Sequence, residues 1–287
     1  MASKVYFTEG TTPEDAVKAF RALGKKLPGK IAVKVHTGED GNHNYLTPDF
    51  WRPMVETAGG AVVECNTAYP GERNSTEKHR KLIREHGWDT FDFDLMDADG
   101  PDDVLEIPDG KIIKKDYVGK DLKNYDSMLV LAHFKGHPMG GFGGALKQLS
   151  IGCASSYGKA YIHGAGNPEG DYFATEQDLF LESMADAASA VVRRFGGNAA
   201  YVSVMKNLSA DCDCVSEAED PCMKDIGTLA SLDPVAIDQA CLDLVYSSKD
   251  PGRDHLVERI ERQHGAHTVE AAEALGIGSR KYELIRI

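Results

Sequence analysis

Apolar positions along the chain alternate between two spacings, and the alternation lays out the secondary structure. Val5-Tyr6-Phe7 is a short apolar run. Thr12-Pro13-Glu14-Asp15 then has the form of a helix start, with a capping hydroxyl, proline at the first position and acids in the first turn. Val17, Phe20, Leu23 and Leu27 follow at helical spacing, and Pro28-Gly29 ends the helix. The β-branched run at 31–35 predicts a buried strand. A helix over about 49–57 passes through Gly59-Gly60 to a strand at 61–65. Another helix is expected over 76–86, closed by Gly87, and a fully apolar strand at 128–132. In the second half, 158–163 is expected as a strand and 175–195 as a long helix stopped by Gly196-Gly197-Asn198. Strands follow at 201–205 and 226–230, and Asp233-Pro234 opens a further helix. Helices at 253–264 and 268–275 and a strand at 282–287 complete the chain. The charged stretch 97–120, with five Asp or Glu between Asp97 and Glu106, predicts an exposed insertion or hairpin.

Strands alternating with helices imply an α/β fold: a mostly parallel sheet flanked by helices in Rossmann-like layers. The chain length suits a single unit, or two similar lobes of about 1–140 and 141–287 with a cleft between them. Ligands of such sheets sit beyond the carboxyl ends of the strands, where strand order reverses. Four chemically notable segments each follow a predicted strand: 36–45, 65–73, 133–147 and 211–222.

The last of these holds three of the six cysteines within eleven residues: Cys212, Cys214 and Cys222. The spacing matches neither zinc fingers nor ferredoxins. Three thiolates with a distant fourth ligand would complete a metal or cluster site. Cys153 is the first choice for that ligand; Cys65 also lies at a strand end, and Cys241 falls on an apolar helix face as a core residue. The neighbouring acids Asp211, Asp213, Glu217, Glu219 and Asp220 would raise the thiol pKa values unless a cation is present, which favours a bound metal over a bare thiolate.

In 133–147, five glycines fall within nine residues, and His133, Lys135, His137 and Lys147 stand among them. Gly140, Gly141, Gly143 and Gly144 would let backbone amides approach an anion, helped by the dipole of a following helix. The pattern is neither a P-loop nor a dinucleotide fingerprint. Lys34, His36 and Glu39 form a third group, as an acid–base set or as metal ligands. Arg73 in the fourth would clamp an anionic ligand. His79, His86, His255, His264 and His267 fall on predicted helices or at their ends, as surface or helix-terminal residues.

Composition narrows the setting. A formal charge of −13 disfavours nucleic acid and anionic membranes as partners. No apolar run approaches the ~20 residues of a membrane helix. The first ten residues show no secretory pattern, and cysteines are few, so a reducing cytoplasm is expected.

The runs Lys34-Val35-His36-Thr37-Gly38-Glu39, His133-Phe134-Lys135-Gly136-His137 with its glycine tail and Lys147, Gly152-Cys153-Ala154 with Gly158-Lys159, and Asp211-Cys212-Asp213-Cys214 through Asp225-Ile226-Gly227 and 233–240 resemble, in this order, the domain of unknown function 362 family. Many members of that family carry a ferredoxin-type module and are labelled iron–sulfur proteins for that reason. No such run occurs here, so an iron–sulfur implication rests only on Cys153, Cys212, Cys214 and Cys222. The expectation is a metal- or iron–sulfur-binding protein, with a cluster or a single zinc or iron ion held by those cysteines or by a histidine in place of Cys153. Lys34, Arg73, Lys135, Lys147 and the glycines would hold a small anionic substrate, and His36, His133 or His137 would move protons. Three thiolates would leave a position open for Lewis-acid chemistry; four would suit electron transfer. An oxidoreductase or a lyase fits such a site. Two alternatives remain open: a module working with a separate ferredoxin-type electron carrier, and a metal-free enzyme holding a phosphate-bearing ligand at the glycines.

Overall fold

A computed structural model describes residues 2–287. The first half runs β1 (Ser3–Thr8), α1 (Pro13–Ala22), β2 (Ile31–Lys34), α2 (Pro48–Ala58), β3 (Ala61–Glu64), α3 (Thr76–Glu85) and β4 (Phe93–Leu95). A hairpin of β5 (Asp103–Glu106) and β6 (Lys115–Val118) leads to β7 (Ser127–His133). A small hairpin, β8 (Lys135–His137) and β9 (Gly141–Gly143), precedes α4 (Ala145–Leu149), α5 (Ser156–His163) and α6 (Gln177–Phe195). Then come β10 (Ala199–Met205), β11 (Gly227–Ser231), α7 (Pro234–Ser247), α8 (Arg253–Arg262), α9 (Ala266–Ala274) and β12 (Tyr282–Arg286).

Eight strands form one sheet in the order β12-β1-β11-β10-β7-β2-β3-β4. All neighbours pair in parallel except at β11, which runs against both β1 and β10. The sheet is therefore mostly parallel, as expected, and takes strands from both halves of the chain. Successive side chains point to opposite faces. Val33, Leu129 and Leu131 pack with α1, α2 and Ile83 of α3. Ala32, Met128 and Val130 pack with α4, α6, α7, α8 and α9. Strands covered on both faces must be apolar throughout, which is why β7 is buried along its whole length.

Local chemistry sets the helix starts. The Thr12 hydroxyl accepts from the Asp15 amide while the Asp15 side chain accepts from the Thr12 amide, closing a capping box before Pro13. Asp233 accepts from Val235 and Ala236 at the start of α7. Cys241 lies in the apolar core, as its helix position suggests.

Three expectations are corrected. Residues 158–163 belong to helix α5, not a strand: Ser155 caps it by accepting from the Gly158 amide, and Gly158, Lys159, Ile162 and His163 bury one helical face. Stretch 97–120 is a hairpin, but it is not wholly exposed. Ile107, Ile113 and Asp116 are buried, and α6 Asp186 accepts from the amides of Lys111, Ile112 and Ile113. His79 is no surface residue; it is 0% exposed, with ring nitrogens bonded to Thr37 and Asn66. Among the described residues no helix is long and apolar enough to cross a membrane.

Candidate functional site

The chain goes from β2 outward to β3 and β4 on one side of the sheet, and later from β7 to β10 on the other. Strand order thus reverses at β2/β7, and the loops leaving β2, β3, β7 and β10 part there. They enclose a cavity of about 240 Å3. His36 comes from the loop after β2, Glu64 from the end of β3 and Arg73 from the loop after it, His133 from the end of β7, Lys135 and His137 from β8, Lys147 from α4 and Cys214 from the loop after β10; Lys159 and His163 of α5 close one wall. The four segments singled out in the sequence therefore meet in one place.

The loop after β10 is organised by ion pairs. Asp211 binds Arg259 of α8 at 2.8 Å. Asp213 lies between Lys135 at 2.7 Å and His133 at 2.9 Å. Glu219 pairs with His255 at 2.6 Å. The Asn42 side-chain amide donates to the carbonyls of Cys212 and Val215 and ties this loop to the one after β2. Of the three thiols that these acids were expected to raise, Cys222 is raised, by burial and with Glu219 among the further causes; beside Cys212 and Cys214, Asp211 and Asp213 are taken up in salt bridges while the sulfurs face cations. Burial opposes ionisation of Cys212, yet a bond from Cys214 and the charges of Lys147 and Lys135 hold its thiol well below the ordinary range. Cys214 keeps its hydrogen: that same bond, and then burial, push its thiol well up.

Cys212, Cys214 and His137 bring two sulfurs and a ring nitrogen within 4.8 Å of one another, a group that could hold a metal ion. Cys153 and Cys222 are not part of it. Cys153 is fully buried and donates to the Gln148 carbonyl at 3.4 Å; burial pushes its thiol up to about 12. The Cys222 sulfur donates to the Leu208 carbonyl at 3.3 Å. Cys65, also buried, donates to the Cys153 carbonyl.

The three histidines named as proton carriers differ in what they can do. Burial, then Lys147, lowers His137 to about 4, so its ring is neutral near pH 7. Its Nδ1 accepts from the amides of Met139 and Gly140, which leaves the hydrogen on Nε2, 3.7 Å from Cys214 Sγ. His36 is likewise neutral, lowered by burial and by Arg73, and its Nδ1 accepts from the Gly38 amide. That leaves the hydrogen on Nε2, and the residue lines the cavity. Both ring nitrogens of His133 meet oxygens, Asp213 on one side and the Lys206 carbonyl on the other. Both nitrogens are thus taken up by protein oxygens, which leaves neither for a substrate.

The cations also divide. Lys34 is fully buried against Glu64 at 2.6 Å and Gln148 at 2.9 Å, beneath the cavity rather than on its wall. Arg73 binds Glu39 at 3.1 Å and the Tyr69 hydroxyl at 2.7 Å. Lys147 lines the cavity, and no hydrogen-bond or ion-pair partner meets its ammonium among the described residues. The glycines divide as well. Gly143 and Gly144 border the cavity. Gly141 adopts φ 76° and passes so close to the turn between α8 and α9 that a Cβ would lie 2.7 Å from Gly265 Cα; it serves packing. The sequence-based expectation of an anion at the start of α4 is not met, because Asp238 already accepts from the Ala145 and Leu146 amides.

Glu64, Tyr69, His79, Lys159 and His163 enter or support the site without having been singled out as site residues. Glu64 had a signal, a lone acid ending an apolar strand. The others become site residues only through packing across loops.

A model of the family DUF362, a domain of unknown function, matches residues 31–243. Among solved structures, the lactate racemase apoprotein from Thermoanaerobacterium thermosaccharolyticum is similar at 13% identity and a TM-score of 0.46, over 70% of this chain and 50% of that one. A protein from Thermotoga maritima is similar at 13% identity and a TM-score of 0.43, over 93% of this chain and 60% of that one. The chain thus spans between half and three-fifths of the length of these structures. No curated protein matches. With the family model covering most of its length, from β2 into α7, this chain belongs to the DUF362 family.

Proposed function

We propose that the protein is a metal-dependent enzyme acting on a small anionic substrate. Cys212, Cys214 and His137 hold one borderline-soft ion, Zn2+ or Fe2+, with a coordination position left open to the cavity. The observation that carries the reading is the meeting of two sulfurs and an imidazole within 4.8 Å beside a cavity with an unmatched lysine. The ion supplies Lewis-acid polarisation of a substrate oxygen. Lys147 holds the substrate's negative charge, His36 donates from Nε2, and the pairing of Asp213 with Lys135 and His133 fixes the segment between the two cysteines. A single ion fits better than a four-cysteine cluster, since Cys153 and Cys222 are bonded elsewhere. Protein purified without oxygen should carry one equivalent of zinc or iron. The Cys212→Ser/Cys214→Ser variant should lose it, while Cys153→Ser and Cys222→Ser should keep it. Absence of stoichiometric metal from the wild-type protein, or its loss on changing Cys153, overturns the assignment.

One observation favours a second reading. Metal-bound histidines ordinarily donate their other ring nitrogen's hydrogen, whereas Nδ1 of His137 accepts two. Its Nε2–H then serves a Cys212/Cys214 thiolate directly, and the pair is a metal-free nucleophile. Metal-free wild-type protein whose Cys212 is alkylated by iodoacetamide far ahead of Cys222 selects this reading.

A further inference from the structure

The buried lysines are of two kinds. Lys34 meets Glu64 at 2.6 Å and Lys135 meets Asp213 at 2.7 Å; a carboxylate holds each as an ammonium. Lys159, 5% exposed on α5, lines the cavity with no carboxylate in ion-pair range among the described residues. Its one bonded partner there is the Ala154 carbonyl at 2.6 Å. A neutral amine satisfies that bond with one N–H and keeps its lone pair; an ammonium would bury two further donors without acceptors. Burial lowers the Lys159 amine from its ordinary range, opposed by the charges of Cys65, Asp97 and Glu64. Lys147 lines the same cavity as Lys159.

We propose that Lys159 is a nucleophilic amine that condenses with the carbonyl of a small oxo acid whose carboxylate faces Lys147. The Lys159 Nζ attacks the carbonyl carbon, and the C–O π pair moves to oxygen, which takes one amine hydrogen. Departure of that oxygen as water, with the second amine hydrogen, leaves the C=N bond of an imine. One water is released and no electrons change hands. Lysines freed from ion pairs and desolvated are the ones suited to this chemistry. The inference does not rest on the metal.

Glyoxylate, the smallest aldehyde acid, tests it with sodium cyanoborohydride as trap on the full-length protein near neutral pH. Peptide mapping should place a carboxymethyl group on Lys159 severalfold faster than on any exposed lysine, because the unprotonated amine is the nucleophile. Excess oxalate should slow that labelling. Lys159→Arg should abolish it at this position, and the wild-type map decides the matter even where the variant fails to fold. Labelling should persist after chelator treatment, which separates this outcome from the fate of the metal reading. Labelling spread over exposed lysines with Lys159 lagging overturns the proposal.

Discussion

Lys147 lines the cavity with no carboxylate against it among the described residues, its charge acting on the Cys212 thiol, while Lys34, Lys135 and Arg73 are matched by Glu64, Asp213 and Glu39. An incoming carboxylate therefore finds a lysine that no carboxylate already occupies. Lys147→Ala should weaken binding of a small dicarboxylate such as oxalate by about 2 kcal/mol, roughly thirtyfold, in titration calorimetry. An unchanged affinity would remove Lys147 from the site. Asp213 has the opposite character, since it stabilises what is already buried. Burial works against its charge, but His133 and Lys135 hold its carboxyl well below the usual range. Asp213→Asn strands a buried ammonium and should lower stability by about 3–5 kcal/mol in urea unfolding. A loss under about 1 kcal/mol would show that the trio is solvated in solution.

At the scale of elements, the decisive contacts are those that aim α4 and α5 at the cavity. Gly158 sits within α5, where helix propensity alone favours alanine by about 1 kcal/mol. Its missing Cβ, however, would fall 1.9 Å from the Tyr117 carbonyl of β6. Gly158→Ala should therefore destabilise by about 2 kcal/mol; a stabilised variant would mean that β6 yields easily. Asp238 fastens α4, which carries Lys147, through two backbone amides, and burial raises its carboxyl to about 7. The unfolded chain releases this proton near pH 4. Between roughly pH 4 and 7 the folded state alone holds it, so stability from this group falls as pH rises through that window and is level above it. Asp238→Asn should flatten that part of the stability–pH curve; an unaltered slope would show that Asp238 ionises normally. The same two helices show how far local pattern reaches. The capping box of α1 and the Asp233 cap of α7 are complete within a few residues and are legible in sequence. α5 is not, because β-rich Tyr161 and Ile162 and the internal glycine mimic a strand. Only Ser155 and the packing against β6 identify it as a helix.

For the whole molecule, the sheet order matters most, since the reversal at β2/β7 opens the crevice into which all four chemically loaded loops turn. An ion bound there ties the β10 loop to the β7 loop in the folded state only. Free Zn2+ at about 100 times its Kd should stabilise the protein by about 2.7 kcal/mol, several degrees in Tm. The Cys212→Ser/Cys214→Ser protein should show no such shift, and an equal shift in both would place the ion elsewhere. The sequence by itself determined the alternation of strands and helices, most helix ends, and which loops are rich in thiols, histidines and lysines, because spacing and capping are local interactions. It also placed those loops at strand ends. What only the tertiary structure decided is which of their side chains remain available. Pairing across loops uses up Asp211, Asp213, Arg73 and Lys135 and occupies both ring nitrogens of His133, while Asp238 closes the start of α4. Cys212 and Cys214 meet His137 rather than Cys153 or Cys222. Such matches join residues as many as 93 positions apart, as between Ala145 and Asp238. They depend on sheet order and helix packing, which no local spacing encodes.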